Sequence, residues 1–142
     1  MNVKIAKASA KDLDVCVSIG KVKEFSYLYK CTKKEAREYL KEFLKTGIFL
    51  IAKCNEEVVG FILAEFVVGK FVWVDGIVVK IEFRNLGIGK LLFKKMESVC
   101  KAKGFKNVFL VVPKFNKNSM KFYKSLKMRK GNECIELYKK IA

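Results

Sequence analysis

The chain has 142 residues, 51% of them hydrophobic, so it is long enough for one domain with a sizeable core and too short for two. The absence of histidine excludes Ser-His-Asp and Cys-His nucleophilic systems, histidine metal sites and a histidine general base. Thirty basic against fourteen acidic residues give a formal charge of +16, which either attracts polyanions or is a lysine-rich surface without a specific partner.

The length therefore predicts a single domain over residues 1–142. No apolar run approaches the roughly 20 residues that cross a bilayer, and the first residues lack the order of a signal peptide. We accordingly expect a cytoplasmic protein with no membrane partner. The cysteines at positions 16, 31, 54, 100 and 134 form no close pair, so we expect reduced thiols and no metal site.

The first third of the chain predicts one strand and two helices. Residues 3–6 alternate as a strand does, and the capping-box pattern at residues 9–12 predicts a helix start. A second capping box at residues 32–35 opens an amphipathic helix that ends at Gly47. Between them, residues 21–31 show no helical stripe but carry three aromatic residues spaced two apart: Phe25, Tyr27 and Tyr29.

The middle of the chain predicts three sequential antiparallel strands. Residues 48–53 and 58–68 form a hairpin, and a turn at positions 69–70 leads to a third strand at residues 71–79. A helix over residues 87–103 then crosses to a strand at 107–112, which makes the last two strands parallel. A helix at 117–126 and a closing strand around 134–138 complete the predicted order.

The turn from the third strand into the following helix has the sequence Arg-Asn-Leu-Gly-Ile-Gly-Lys at residues 84–90. Glycines allow a ligand to approach the backbone closely, and the first N–H groups of a helix favour a bound anion. Position 92 is leucine, so the third glycine of a dinucleotide fingerprint is missing, and the spacing of a P-loop is also absent. The turn therefore predicts a different kind of phosphate cradle.

Two motifs carry a family resemblance. Arg84-x-x-Gly87-x-Gly89 resembles motif A of the GCN5-related N-acetyltransferases, and residues 116–123 resemble motif B, with an asparagine seven positions before a tyrosine. The resemblance covers the chain from about residue 48 onward. It implies an α/β fold with a mixed six-stranded or seven-stranded sheet flanked by about four helices. It also implies acetyl-coenzyme A as cosubstrate and no metal.

The resemblance assigns roles to individual residues. It implies that the loop holds the pyrophosphate of acetyl-coenzyme A through Arg84, Asn85, Leu86, Gly87, Ile88, Gly89 and Lys90. The backbone N–H of Val79 is expected to face the thioester carbonyl, where it would stabilise a developing oxyanion. Tyr123 matches the tyrosine that protonates the departing thiolate and lies at the cofactor. Asn116 either contacts the cofactor or simply caps its helix.

An acceptor ammonium must lose a proton before it attacks, because amine pKa values lie near 8 to 10.4. Asp75 is the first candidate base, since a carboxylate in an apolar strand can have a raised pKa, and Glu65 in the preceding strand is the second. Both side chains could instead face solvent. A water relay without a dedicated base is the other possibility.

The sequence thus predicts an N-acetyltransferase that moves the acetyl group of acetyl-coenzyme A to a primary amine by direct attack, as a monomer or a homodimer. The acceptor could be a protein N-terminus, a lysine or a small amine. The alternative is a non-catalytic, basic nucleic-acid-binding module on the same fold, which the charge and the aromatic residues at 25–29 would suit.

Overall fold

The computed structural model describes the backbone of residues 1–142 and every side chain except that of Ser26. Contacts divide the chain into two compact units, Met1–Val111 and Val112–Ala142. The first unit contains the sheet and four helices, and the second contains one helix.

Five strands form one mixed sheet in the order β1-β2-β3-β4-β5. The strands are β1 (Val3–Lys7), β2 (Ile48–Cys54), β3 (Glu57–Val67), β4 (Phe71–Val79) and β5 (Asn107–Phe109). Each of the first four strands is antiparallel to its neighbours among them, and β5 is parallel to β4, as predicted. The turn between β2 and β3 holds Asn55 and Glu56 at φ of 50° and 69°, and two successive positive φ values are typical of a tight hairpin.

The helices are α1 (Leu13–Gly20), α2 (Ser26–Lys30), α3 (Lys33–Thr46), α4 (Ile88–Ala102) and α5 (Lys117–Ser125). Helix α3 begins with the predicted capping box: the Glu35 N–H donates to Thr32 Oγ1 at 3.1 Å, and the Thr32 N–H donates to Glu35 Oε1 at 3.0 Å. The short helix α2 was not predicted, because its five residues are too few to show helical periodicity.

The sheet is covered on both faces. Helices α1 and α3 pack on one face against a cluster that includes Phe49, Phe61 and Leu63. Because side chains alternate along a strand, the intervening buried residues of β3 and β4 face the other side, where α4 packs. Among the described residues, no helix is long and apolar enough to span a bilayer.

The predicted closing strand at residues 134–138 is wrong. Residues 126–142 form no strand in the described structure, and Ile135, Leu137 and Tyr138 are 84–90% exposed. An alternating pattern indicates that a segment can form a strand. The segment becomes a strand only if a neighbouring strand is available to form hydrogen bonds with it. The mixed α/β architecture is confirmed, with five strands rather than six or seven.

Candidate active site

Strand β4 has an open edge over its second half. Strand β5 pairs with it only at Phe71, Val72 and Trp73, so in the described structure residues 74–79 have no strand on the side away from β3. Two parallel strands that separate after three residues leave backbone N–H and C=O groups of β4 available to a ligand. We call this side of residues 74–79 the open edge.

Val79 presents its backbone to the open edge. It lies opposite Gly60 in the antiparallel pair, and the next N–H, from Lys80, donates to the Val59 carbonyl at 2.8 Å. That hydrogen bond makes Gly60 and Val79 a non-hydrogen-bonded pair, in which the N–H and C=O groups point away from the partner strand. The Val79 N–H therefore has the direction that an oxyanion donor at this position requires.

Arg84 braces the turn that follows β4. Its Nε donates to the Val79 carbonyl oxygen at 2.9 Å, and its NH1 lies 3.9 Å from Glu24 Oε1. The guanidinium thereby ties the end of β4 to the loop before α4. In this structure Arg84 fixes the backbone of the predicted cradle, and its contact with a phosphate remains a prediction.

The N-terminus of α4 has the features of an anion site. Gly87 is the N-cap at φ 84°, and no described side chain caps the helix. A Cβ at Gly87 would meet nothing within 4 Å, so the space beside this N-cap is open. The N–H groups of Ile88, Gly89 and Lys90 have no acceptor within the helix, and the helix dipole favours an anion there.

An open cleft of about 470 Å³ adjoins the end of β4. It is bounded by α1, the segment after α1 and the turn after β4. Its lining includes Val79 and Arg84, two of the residues predicted to bind the cofactor, together with Glu24. The volume is within the range of small-molecule sites.

Asp75 lies in a β-bulge. The register of β3 and β4 shifts so that Leu63 faces Gly76 and Ala64 faces Val74, which leaves Asp75 as the extra residue. Bulges re-aim side chains and are frequent next to active sites. The Asp75 Oδ2 atom is fully buried and has no hydrogen-bond partner within the described structure.

Asp75 and Glu65 form a carboxyl pair. Burial raises the pKa of Asp75 to about 8, with further contributions from a hydrogen bond to Glu65 and from the Glu65 charge. Glu65 lies on β3 opposite Trp73 and is itself exposed. Both predicted base candidates therefore lie near each other on adjacent strands, and the Glu65 charge raises the pKa of Asp75.

Aromatic rings lie against this carboxyl pair. The Tyr27 and Tyr39 ring centroids are 4.4 Å apart, and Phe25 meets Tyr39 edge to face at 6.3 Å. Burial raises the pKa of Tyr39, and the charges of Asp75 and Glu65 raise it further. Phe25 packs against the backbone of Gly76, the residue after Asp75, so the rings and the carboxyl groups belong to one surface.

Comparison with known proteins decides the family. The model of the acetyltransferase (GNAT) family matches residues 20–128. The chain belongs to the acetyltransferase (GNAT) family. A curated relative, an uncharacterized N-acetyltransferase of Chlorobaculum tepidum, is 30% identical over 105 residues, which are 69% of this chain and 68% of the relative.

Solved structures share the GNAT fold at low identity. An N-acetyltransferase of Thermoplasma acidophilum in complex with coenzyme A has a TM-score of 0.71 and 20% identity, with 89% of each chain covered. An aminoglycoside acetyltransferase from an uncultured soil metagenomic sample, in complex with sisomicin, has a TM-score of 0.80 and 19% identity, covering 99% of this chain and 97% of that one.

This GNAT chain is therefore an acetyltransferase, and the family match begins at Gly20, earlier than residue 48 from which the motifs were recognisable.

Two predicted residues lie in the second unit of the enzyme. Asn116 caps α5, where its Oδ1 accepts the Ser119 N–H at 3.2 Å. Tyr123 meets Phe122 edge to face at 5.1 Å, and burial raises its pKa to about 12.

Sequence reasoning assigned no site role to Tyr39 or Gly76 of this GNAT chain. Phe25, one of the three aromatic residues noted in the segment at residues 21–31, is 7% exposed and packs in the core. Gly76 allows that burial, because a Cβ there would lie 2.1 Å from Phe25 Cε2. A glycine beside an aspartate within a strand was the available signal, since such a glycine often marks a bulge or a close approach.

Proposed function

We propose that residues 1–142 act as one N-acetyltransferase domain that transfers the acetyl group of acetyl-coenzyme A to a primary amine. The observation that carries this proposal is the open edge of β4, which ends at Val79 and leads directly to the uncapped N-terminus of α4. The open edge of β4 can hydrogen-bond an extended pantetheine arm, and the N-terminus of α4 can bind a pyrophosphate. The relative bound to coenzyme A supports the choice of cosubstrate.

The cradle supplies binding and orientation. Backbone N–H groups of Ile88, Gly89 and Lys90 would hold the pyrophosphate, with Asn85 and Leu86 shaping the turn and Gly87 leaving space for close approach. Asn85 has a φ of 62°, which helps to form this turn. Holding the thioester and the amine together converts a bimolecular step into an effectively unimolecular one.

Direct transfer needs one proton acceptor and one proton donor. The deprotonated Asp75–Glu65 pair accepts the proton of the acceptor ammonium, and the neutral amine then attacks the thioester carbonyl carbon. The Val79 N–H stabilises the negative charge that develops on the carbonyl oxygen. As the C–N bond forms and the C–S bond breaks, Tyr123 donates its proton to the leaving sulfur; its raised pKa keeps it protonated at neutral pH.

A cysteinyl acyl-enzyme is not part of the proposal. Burial raises the pKa of Cys16 to about 12, and the Asp12 charge contributes to that rise. Burial also raises the pKa of Cys100. A thiol is nucleophilic as its thiolate, so both groups are poor acyl carriers, which favours direct transfer.

The test is release of free thiol when the protein is mixed with acetyl-coenzyme A and a panel of primary amines. We expect thiol release that requires an amine and matches acetylated amine mole for mole in mass spectrometry. Absence of amine-dependent release, together with a salt-sensitive shift of nucleic acid, would replace this function with the nucleic-acid-binding alternative.

A further inference from the structure

The surface formed by the rings of Phe25, Tyr27 and Tyr39 and by the Asp75–Glu65 pair identifies an acceptor class within the proposed function. We call it the ring–carboxylate surface. We infer that the acceptor is a primary amine carried on a short arm that ends in an aromatic ring. This inference rests on the proposed function and narrows its acceptor.

The rings provide an apolar wall next to the carboxyl groups. Tyr27 is 51% exposed, and its ring contacts Tyr39, which in turn meets Phe43 at 5.1 Å in the core. The wall is thus anchored in the core at one end and open to a ligand at the other. Aromatic ligands gain from offset or edge-to-face contact with such rings beyond simple area burial.

The wall lies directly on β4 beside the carboxyl pair. Gly76 has no side chain, so Phe25 packs onto its backbone, and Gly76 is the residue after Asp75. The Phe25 end of the ring wall therefore lies one residue along β4 from Asp75. An amine that carries its ring on a short arm is the kind of acceptor that can contact both.

The carboxyl groups provide a place for the ammonium of the acceptor. The buried Asp75 Oδ2 has no hydrogen-bond partner among the described residues, and an ammonium can donate to it. The other charged or titratable groups around these rings are Glu65 on β3, Tyr39 and Glu35 on α3, Tyr27 on α2 and Cys31.

The experiment compares kcat/KM for 2-phenylethylamine, n-butylamine, spermidine and a short peptide with a free N-terminus, each with acetyl-coenzyme A. We expect 2-phenylethylamine to exceed the other three by about tenfold or more, the discrimination that an apolar contact supplies. Tyr27→Ala should lower the value for 2-phenylethylamine about tenfold and leave that for n-butylamine within about twofold.

Tyr29→Ala is the matched control, because Tyr29 is also on α2 and half-exposed but lies outside the ring–carboxylate surface. It should leave both amines unchanged, and thermal melts would verify that both variants are folded. Preference for spermidine or the peptide, or an equal effect of Tyr27→Ala on both monoamines, would overturn the inference alone. Failure of every amine to release thiol would overturn the proposed function and the inference together.

Discussion

The proposed proton transfer depends most on one residue, Asp75. It is the unpaired residue of a bulge, its Oδ2 is buried, and the Glu65 charge contributes to raising its pKa. A strand without the bulge would alternate regularly and would not place an extra side chain beside Glu65. The sequence indicated both carboxylates as candidate bases but could not show that they act as a pair.

The pair predicts a pH dependence. The base must be deprotonated, so kcat/KM should rise with pH and level off above about 8, the pKa to which burial and Glu65 raise Asp75. Glu65→Gln removes the neighbouring charge and should move this rise to lower pH, while burial still keeps the pKa above its ordinary value. Asp75→Asn should abolish the rise and lower kcat about 100-fold or more.

The acceptor amine also titrates, and the two variants separate its effect from that of Asp75. A rise that stays at the same pH in Glu65→Gln and Asp75→Asn would belong to the amine and would contradict the role of the pair.

The free energy of unfolding, measured as a function of pH, tests the raised pKa of Asp75 independently of activity. Because the folded pKa is raised, the wild type should lose stability as pH increases from about 4 to 8, and Asp75→Asn should lose less.

Tyr123 carries the proposed acid. Tyr123→Phe keeps the ring and removes the hydroxyl proton, so kcat should fall about 100-fold while the KM for acetyl-coenzyme A changes little. Tyr138→Phe is the control, since Tyr138 is 84% exposed in the C-terminal segment. Equal kcat values for Tyr123→Phe and the wild type would assign the motif tyrosine to packing.

At the scale of elements, helix α4 shows what a local pattern can and cannot predict. Its bounds follow from the glycines at its two ends, Gly87 and Gly104, both at φ 84°. Its buried face does not follow from hydrophobicity alone, because Leu91 is 44% exposed whereas Phe93 is 1% exposed. The periodicity of apolar residues predicts an apolar stripe along the helix. Packing against the sheet decides which residues at the edge of that stripe are buried.

Gly87 and Gly104 also provide a matched test of the cradle. Either Gly→Ala change forces a side chain into the left-handed region and should cost about 1 kcal/mol of stability. Only Gly87→Ala adds a methyl group at the N-cap of α4, within the predicted cradle. We expect it to raise the KM for acetyl-coenzyme A about tenfold, a loss of about 1.4 kcal/mol, whereas Gly104→Ala should leave KM unchanged.

A similar KM for the two variants would show that the cofactor does not approach the start of α4.

The open edge of β4 is also a feature at the scale of elements. The sequence predicted that β4 and β5 are parallel, but not that they pair over only three residues. Strand length and separation depend on tertiary contacts that no local pattern records.

At the scale of the whole molecule, the family was predictable because the motifs at residues 84–89 and 116–123 resemble those of its members. The first unit and the order of its strands were predictable because hairpin turns and a helical crossover restrict topology. The closing strand was not, because a partner decides whether an alternating segment pairs. The charge of +16 attracts an anionic cofactor but selects no acceptor.

Hydrogen exchange on the intact protein tests the central claim most directly, because that claim concerns backbone amides. On addition of millimolar coenzyme A, amide exchange should slow at Val79 and at residues 87–90, and stay unchanged at the C-terminal end of α4. Unchanged exchange at Val79 and at residues 87–90 in folded protein, at the same coenzyme A concentration, would contradict the account.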